Sequence, residues 1–385
     1  AFAILDLRAR KLHLVRDRLG IKPLVYWHRG HELAFGSTVR ALLPYLKPDE
    51  RGLSATGIDA YLAHRYVPAP RTVFENIQRL PHGHHACFDL NTGGLALTPY
   101  WQPQADVTTS FADALVESVR LRTVSDRPVG LFLSGGVDSA TVASILAASG
   151  HREITAYTAA FPGTEFDESA TAARVANRLG LKHEILPIES HIGDDFERIV
   201  AGLDEPFADP SSFPLWYIAR AASAHVKVVL GGDGGDELFA GYRRYDKHLA
   251  SGWRRGFRLP LPATPATGRR GKLLDELRLD WLSAYSLRFS GMHPALRRFL
   301  QPALASVPAV YWDKMPANTD DPLRALLETD MHNYLPEYIL RKGDLCTMAH
   351  GLELRVPLLD HRLYQSVLAL PDAERFTRPR KLALA

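Results

Sequence analysis

Cysteine is almost absent from this sequence. Among its 385 residues only Cys87 and Cys346 occur, far apart and in no metal-ligand spacing. Such sparse cysteine usage is typical of a reducing cytosol, so we expect a cytoplasmic protein. Long apolar runs are absent too: none approaches the roughly 18 residues of a membrane-spanning helix, and no signal peptide is recognisable. We therefore expect no membrane partner.

A strong charge of either sign is also missing. The chain has 46 basic and 43 acidic residues, a net charge of +3, which favours no nucleic-acid partner by itself. Residues 251–272 hold six basic side chains among prolines: Arg254, Arg255, Arg258, Arg269, Arg270 and Lys272. Aromatic residues are sparse in that segment, so a solvated loop is favoured over a nucleic-acid patch. We expect no nucleic-acid partner.

The length and the order of patterns predict two domains. A chain of 385 residues is long for one core. Residues 1–100 read as a β-rich domain with small helices, and the polar residues 101–109 read as a linker. Strands and helices then alternate, while the final part reads as helical. Alternation of this kind predicts an α/β domain at 110–385, a doubly wound parallel sheet with ligands at the carboxyl ends of its strands.

A glycine loop follows the first apolar run of that second domain. Residues 128–133 predict a buried strand, and residues 139–148 predict a helix with Ser139 as its cap. The two adjacent glycines between them expose backbone N–H groups at a helix start, which favours an anion. No Lys follows, so this is not the common P-loop. The carboxylate of Asp138 beside a phosphate suggests Mg²⁺. An ordinary strand-to-helix turn is the alternative, but SGGVDS after a strand resembles the pyrophosphate loop of ATP pyrophosphatases.

A second glycine-rich loop follows the strand predicted at 226–230. It contains four glycines and three acids in the sequence GGDGGDE. Like charges so close together repel each other unless a cation or a shared proton relieves them. If Asp236 faces Asp138, the two could hold one Mg²⁺ with the ATP phosphates.

Seven stretches in this order resemble the glutamine-hydrolysing asparagine synthetases. They are DRLGIKPLVYW (17–27), SGGVDS (134–139), FDES (166–169), DEPFADPSSFP (204–214), GGDGGDELFAGYRRY (231–245), YLPEYILRK (334–342) and LELRVPLLDH (352–361). The resemblance covers nearly the whole chain. It implies the remainder of a β-rich Ntn-type glutaminase domain followed by an ATP-pyrophosphatase-type synthetase domain, and the family suggests a homodimer.

The resemblance also implies a reaction. The aspartate carboxylate attacks the α-phosphate of ATP to give β-aspartyl-AMP and pyrophosphate, and ammonia from glutamine then displaces AMP to give asparagine. The implied nucleotide-binding residues are Leu133, Ser134, Gly135, Gly136, Asp138, Ser139, Asp167, Gly231 and Gly232. The implied magnesium ligands are Asp138 and Asp236. Asp233 takes the place of an acid that accepts a proton from ammonia, and Lys381 that of a lysine that stabilises phosphate charge.

Three departures from the family pattern accompany the resemblance. Position 1 is Ala where the glutaminase nucleophile is an N-terminal Cys, and the internal Cys87 has no free α-amino group to act as base. Leu345 stands where the family usually has Arg. The sequence also stops just past Lys381, so we expect a fragment of a longer protein without glutaminase chemistry.

Several alternatives stay open on the sequence. A β-lactam synthetase-like or peptide-cyclising ligase would adenylate in the same way but use an internal amine. A tRNA-modifying enzyme would need a basic surface and usually reactive cysteines, and neither is evident. A non-catalytic relative is disfavoured because Asp138, Asp233, Asp236 and Lys381 are all present.

Overall fold

The chain forms two compact units that alternate along the sequence. The computed structural model describes residues 1–164, 167–188, 192–255, 259, 268–289, 291–302, 304, 308, 310–316 and 320–385. Unit 1 contains Ala1–Trp101, Leu203–Asp209 and Tyr242–Tyr338, and unit 2 contains Gln102–Gly202, Pro210–Gly241 and Ile339–Ala385. Phe166 of the FDES motif and residues 256–258 and 260–267 of the basic segment lie outside the described residues.

Unit 1 contains two antiparallel sheets. Their strands are β1 (Phe2–Asp6), β2 (Lys11–Val15), β3 (Val25–Arg29), β4 (Glu32–Gly36), β5 (Ile77–Arg79), β6 (His84–Asp89) and β7 (Leu95–Pro99). The sheets have the strand orders β1-β2-β6-β7 and β4-β3-β5. The β-rich character expected from the sequence is therefore confirmed, while the three-residue β5 was too short to predict.

Strand β3 joins two parts of the unit 1 core. Because successive side chains of a strand point to opposite faces, Val25 and Trp27 pack in one cluster with Ile77, and Tyr26 packs in another with Leu14. Burial on both faces explains why this strand reads as a continuous apolar run rather than an alternating one.

Residues Leu203–Asp209 belong to unit 1 because their acids bind its N-terminal elements. The two carboxylate oxygens of Asp204 accept hydrogen bonds from the backbone N–H groups of Val39 (2.6 Å) and Arg40 (2.9 Å). Glu205 accepts from the N–H of Val73 at 2.6 Å and forms a buried ion pair with Arg79.

The helices of unit 1 are Val39–Leu42, Ala55–His64, Arg243–Leu249, Gly268–Arg278, Trp281–Ala284, Pro294–Leu300 and Pro322–Thr329, and a π-helical segment spans Asp330–Leu340.

Unit 2 is built on a five-stranded parallel sheet. Its strands are β8 (Val129–Phe132), β9 (Thr155–Ala160), β10 (Lys182–Pro187), β11 (Val228–Leu230) and β12 (Glu353–Arg355), in the order β10-β9-β8-β11-β12. All four pairings are parallel. The chain runs outward from β8 to β9 and β10 on one side and returns to β11 and β12 on the other. This is the predicted doubly wound arrangement, with its switch point between β8 and β11.

Two local predictions in unit 2 are wrong. The helix after β8 begins at Val137 with Gly136 as its cap, so Ser139 lies in the first turn and is not the cap. The cause is the Ser139 hydroxyl, which bonds back to the loop before the helix. The second error is β12, because the final part of the chain was expected to be helical. Three residues flanked by helical patterns give too little periodicity to predict a strand.

The remaining helices of unit 2 flank these strands. They are Phe111–Arg122, Val137–Ala148, Ser169–Leu179, Ile192–Gly202, Ser212–Ala222, Gly235–Phe239, Arg341–Met348, His361–Ala369 and Asp372–Arg375. Within the described part of the chain, no helix is long and apolar enough to cross a membrane.

Candidate functional site

Two loops meet at the carboxyl edge of the unit 2 sheet. Strands β8 and β11 are direct neighbours, with Leu131 paired to Leu230. The loop after β8 carries SGGVDS and the loop after β11 carries GGDGGDE. Since parallel strands end at the same edge, the two glycine-rich loops flank the switch point, where open α/β sheets bind ligands.

The first loop is held in shape by its own hydroxyl groups. The N–H of Ser134 donates to Ser139 Oγ at 3.1 Å, and the two hydroxyl oxygens lie 3.0 Å apart. The N–H of Gly136 donates to Ser134 Oγ, also at 3.1 Å. Leu133 is tied to β9, because its N–H donates to Tyr157 O and its carbonyl accepts from Thr158 Oγ1. The loop therefore presents a fixed turn at the start of a twelve-residue helix.

Asp138 and Asp236 bind the same ammonium group. Lys381 Nζ lies 2.6 Å from Asp138 Oδ2 and 2.6 Å from Asp236 Oδ1. The side chains are 18%, 30% and 16% exposed for Asp138, Asp236 and Lys381, respectively. Each carboxylate lies in the first turn of a helix that follows one of two neighbouring strands, which is why residues almost a hundred positions apart meet here.

Burial and neighbouring charges both shift the pKa values of Asp138 and Lys381. Burial raises the pKa of Asp138 to about 6; Lys381 works against that rise, and the negative charges of Asp236 and Asp233 add to it. Burial alone would lower the pKa of Lys381, but the two carboxylates outweigh it and the pKa is raised. Lys381 therefore stays protonated and keeps two crowded acids together.

The C-terminal segment that carries Lys381 is fixed on both sides. Before it, Arg375 Nε donates to the carbonyl of Leu238 at 2.9 Å, in the helix that contains Asp236. After it, the carbonyl of Leu384 accepts a 2.6 Å hydrogen bond from Thr141 Oγ1, in the helix that contains Asp138. These two contacts bring the lysine to the carboxylates from the far end of the chain.

Two glycines allow the close approach of these parts. A Cβ at Gly232 would lie 2.8 Å from the backbone N of Ser139, so any side chain there would push the two loops apart. A Cβ at Gly241 would overlap Asp236 Oδ1 and Lys381 Cε. The chain after the second loop therefore packs directly against the ion pair.

Asp233 lies in the second loop, apart from the Lys381 contact. Its carboxylate is partly buried, and burial raises its pKa, with Lys342 opposing the shift and Asp236 adding to it. Lys342 Nζ donates to Ser211 Oγ at 2.7 Å. Gly231, at the start of this loop, donates its N–H to the carbonyl of Arg355 on the next strand.

The side chains of Asp167 and its neighbour Glu168 have different hydrogen-bond partners. Hydrogen bonds from the side chain and the N–H of Ser169 lower the pKa of Asp167, and the N–H bond, at 2.9 Å, fixes this carboxylate at the start of the helix Ser169–Leu179. Glu168 instead reaches the first loop, where its Oε2 accepts from the N–H of Gly135 at 2.9 Å. The sequence pointed to Asp167 and not to Glu168, although both belong to the FDES motif.

Comparison with known proteins identifies the family. Residues 110–384 match the family model described as asparagine synthase, and residues 1–101 match that of a glutamine amidotransferase domain. The chain belongs to the asparagine synthase family.

Members of the family from Bacillus subtilis are similar over nearly the whole chain. The chain is 29% identical to the glutamine-hydrolysing asparagine synthetase 1 of that organism, over 97% of this chain and 62% of the relative. It is 28% identical to asparagine synthetase 2, over 97% of this chain and 51% of the relative. The chain thus spans between half and two thirds of the length of these relatives.

One solved structure that resembles the chain covers about a third of it. The NH3-dependent NAD synthetase of Campylobacter jejuni, in complex with nitrate, is 19% identical with a TM-score of 0.25, covering 35% of this chain and 61% of that chain. A similarity of this size supports no inference about the present site.

Leu345, at which the resemblance predicts Arg, has a clear place in the fold. It is buried in the helix Arg341–Met348 and contributes to the core of unit 2.

Proposed function

We propose that the chain carries out the ATP-dependent amidation of aspartate to asparagine, releasing AMP and pyrophosphate, with ammonia supplied from glutamine in the full-length protein. The observation that carries the proposal is the meeting of Asp138 and Asp236 on Lys381 at the switch point beside the SGGVDS loop. Membership of the asparagine synthase family supports the choice of substrates.

The first step is adenylation. An oxygen of the aspartate side-chain carboxylate attacks the α-phosphorus of ATP, and the bond to the bridging oxygen of the pyrophosphate breaks. In this proposal Ser134, Gly135, Gly136 and Ser139 hold the leaving pyrophosphate with hydroxyl and backbone donors. The ammonium of Lys381 is the fixed cation that lowers the energy of the charge developing on the phosphates.

The site also fits a magnesium ion. Asp138 Oδ1 is buried and, among the described residues, has no hydrogen-bond partner. Asp138 and Asp236 together supply two carboxylates, the number that Mg²⁺ commonly takes from protein when substrate phosphates and water complete its shell. No group of three or more His, Cys, Asp or Glu in the described ranges is arranged to hold a metal ion. When bound there, Mg²⁺ would neutralise phosphate charge.

The second step forms the amide. Ammonia attacks the carbonyl carbon of β-aspartyl-AMP, and AMP leaves with the oxygen that it received from aspartate. The attacking nitrogen must lose a proton, and we assign that proton to the carboxylate of Asp233. Burial raises the pKa of this carboxylate, and a higher pKa makes it a better proton acceptor.

Two further properties belong to the proposal. Cys87 and Cys346 are both free thiols, which supports a cytoplasmic location. The family resemblance supports a homodimer, which sedimentation at increasing protein concentration would test.

The function is tested by product analysis. The protein is incubated with Mg²⁺, ATP, ammonia and aspartate, and the nucleotide and phosphate products are separated. We expect AMP, pyrophosphate and asparagine in equal amounts, with none of them formed when glutamate replaces aspartate. ADP and inorganic phosphate as the main products would contradict the proposal. Formation of AMP and pyrophosphate with another acid, but not with aspartate, would contradict it as well.

A further inference from the structure

One backbone donor of the first loop is occupied by a carboxylate from outside that loop. The N–H of Gly135 donates to Glu168 Oε2 at 2.9 Å. The donors on either side are used differently, since Ser134 and Gly136 donate to hydroxyl groups of the loop itself. Of these three consecutive N–H groups, only that of Gly135 is bound by a charged group from another segment.

The position attracts an anion for a physical reason. The loop leads into the helix Val137–Ala148, whose twelve residues place the positive end of the helix dipole at this point. Gly135 also packs against the segment that carries Glu168, because a Cβ on this glycine would lie 3.2 Å from Thr171 Cγ2 and 3.6 Å from Glu168 Cβ. The carboxylate of Glu168 therefore lies at the positive end of this helix dipole, where a phosphate oxygen would otherwise bind.

We propose that Glu168 competes with the phosphates of the nucleotide for the loop. Its carboxylate accepts the Gly135 N–H when no nucleotide is bound and moves away when the pyrophosphate part of ATP takes that donor. This inference rests on the proposed nucleotide-binding function. Glu168 is exposed to solvent, so the carboxylate can leave the loop without breaking the core. It contacts no reacting atom and sets the affinity for phosphate-bearing ligands.

The competition predicts an unusual sign for a mutation next to a binding loop. In Glu168→Gln the side chain keeps its size but loses the charge, so phosphate no longer displaces an anion. We expect inorganic pyrophosphate and ATP to bind roughly fivefold more tightly, the factor for removing one like charge about 4 Å away in water. Adenosine, which has no phosphate, should bind equally to both proteins.

The experiment compares the full chain, Glu168→Gln, Glu168→Ala and the control Glu197→Gln. Glu197 is an exposed acid on the helix Ile192–Gly202 of the same unit. Dissociation constants for pyrophosphate, ATP and adenosine are measured by calorimetry at low salt and at 1 M salt, where the screening length falls to about 3 Å. We expect tighter phosphate binding in both Glu168 variants at low salt, a smaller gain at high salt, and no change in the control.

Two results would overturn the inference. If the unsubstituted chain binds ATP and the Glu168 variants bind it equally or more weakly, Glu168 supports the loop and does not compete with phosphate, while the nucleotide function stands. If the unsubstituted chain binds neither pyrophosphate nor ATP, the proposed nucleotide function fails and the inference fails with it.

Discussion

Lys381 donates a 2.6 Å hydrogen bond to Asp138, a residue 243 positions earlier in the chain. The same Nζ lies 2.6 Å from Asp236. The last segment of the chain thus completes a site that begins at the first strand of the parallel sheet. This relationship joins the two glycine-rich loops.

The charge of Lys381 is the first feature to test. In Lys381→Met, Asp138 and Asp236 keep their crowded charges without a cation, and the developing phosphate charge loses its partner. Loss of one fixed donor or charge of this kind typically costs about 10²- to 10³-fold in rate. We expect aspartate-dependent exchange of labelled pyrophosphate into ATP to fall by that order, while Lys182→Met, at an exposed strand position, leaves it unchanged. Equal rates of pyrophosphate exchange in Lys381→Met and Lys182→Met would refute this role of the Lys381 charge.

The two acids of the second loop should act in different steps. Asp236→Asn removes a charge from the proposed magnesium site, so pyrophosphate exchange and asparagine formation should fall together. Asp233→Asn keeps the size of the side chain but cannot accept a proton, which typically costs about 10²- to 10⁴-fold in the step it serves. Exchange should then survive better than asparagine formation. Equal losses of both activities in the two variants would show that this division of roles is wrong.

The close packing at Gly241 gives a steric test. A methyl group in Gly241→Ala would overlap Asp236 and Lys381, and overpacking of this kind costs about 1–3 kcal/mol. We expect a lower free energy of unfolding by urea and weaker pyrophosphate exchange. Gly193→Ala is the matched control, since a Cβ there meets no atom within 4 Å. A stable, fully active Gly241→Ala protein would contradict the described geometry.

A buried ionic network lies in unit 1. Arg79 binds Glu205 and also lies 3.0 Å from Glu337, which in turn binds Arg16 at 2.9 Å. Arg79→Met leaves buried carboxylates without their partner, which typically costs about 3–5 kcal/mol. Arg324→Met is the control: the ion pair of Arg324 with Asp321 is exposed on both sides, so its loss should leave the denaturant midpoint unchanged. Equal shifts of the midpoint in the two variants would exclude the network as a source of stability.

Acid should destabilise unit 1 through its buried histidines. Burial, reinforced by Arg297 and Arg71, lowers the pKa of His64 to about 3, and its Nε2 accepts the N–H of Tyr311 at 2.9 Å. An unfolded histidine has a pKa near 6.5. Between these values the unfolded chain binds a proton that the folded chain does not, so stability is complete above about pH 6.5 and falls as the pH drops.

The measurement for His64 is the slope of unfolding free energy against pH between about 5 and 7. His64→Gln keeps a polar side chain that can accept a hydrogen bond but has no titrating ring. Its slope should be smaller by up to about 1.4 kcal/mol per pH unit, the contribution of one proton. Identical slopes in the two proteins would mean that His64 already titrates normally in the folded chain.

The sequence was informative where a pattern repeats locally. Alternating strands and helices predicted the doubly wound sheet, and two apolar runs that end in glycines predicted two loops at one edge. The sequence raised a meeting of Asp236 with Asp138 only as a condition, and in the structure both carboxylates lie 2.6 Å from Lys381 Nζ. The roles of these residues remain proposals, and so does the division of the chain at residues 100 and 110, since the compact units are discontinuous along the sequence.

The contacts that fix the site join residues far apart in the sequence, and no local sequence pattern predicts them. Arg375 binds the carbonyl of Leu238, and Thr141 binds that of Leu384. In each pair one partner is a backbone carbonyl, which every residue has. FDES contains both Asp167 and Glu168, and its sequence does not show which carboxylate contacts the first loop. Glu205 likewise gave no sign that it would pair with Arg79.

The fate of the aspartate oxygen tests the account most directly. Aspartate labelled with oxygen-18 in its side-chain carboxylate is supplied with ATP, Mg²⁺ and ammonia, and the phosphate-bearing products are examined by mass spectrometry. Adenylation transfers one carboxylate oxygen to the α-phosphorus, so we predict one labelled oxygen in AMP and none in pyrophosphate. Label in inorganic phosphate, with ADP as the second product, would contradict adenylation and the central claim with it.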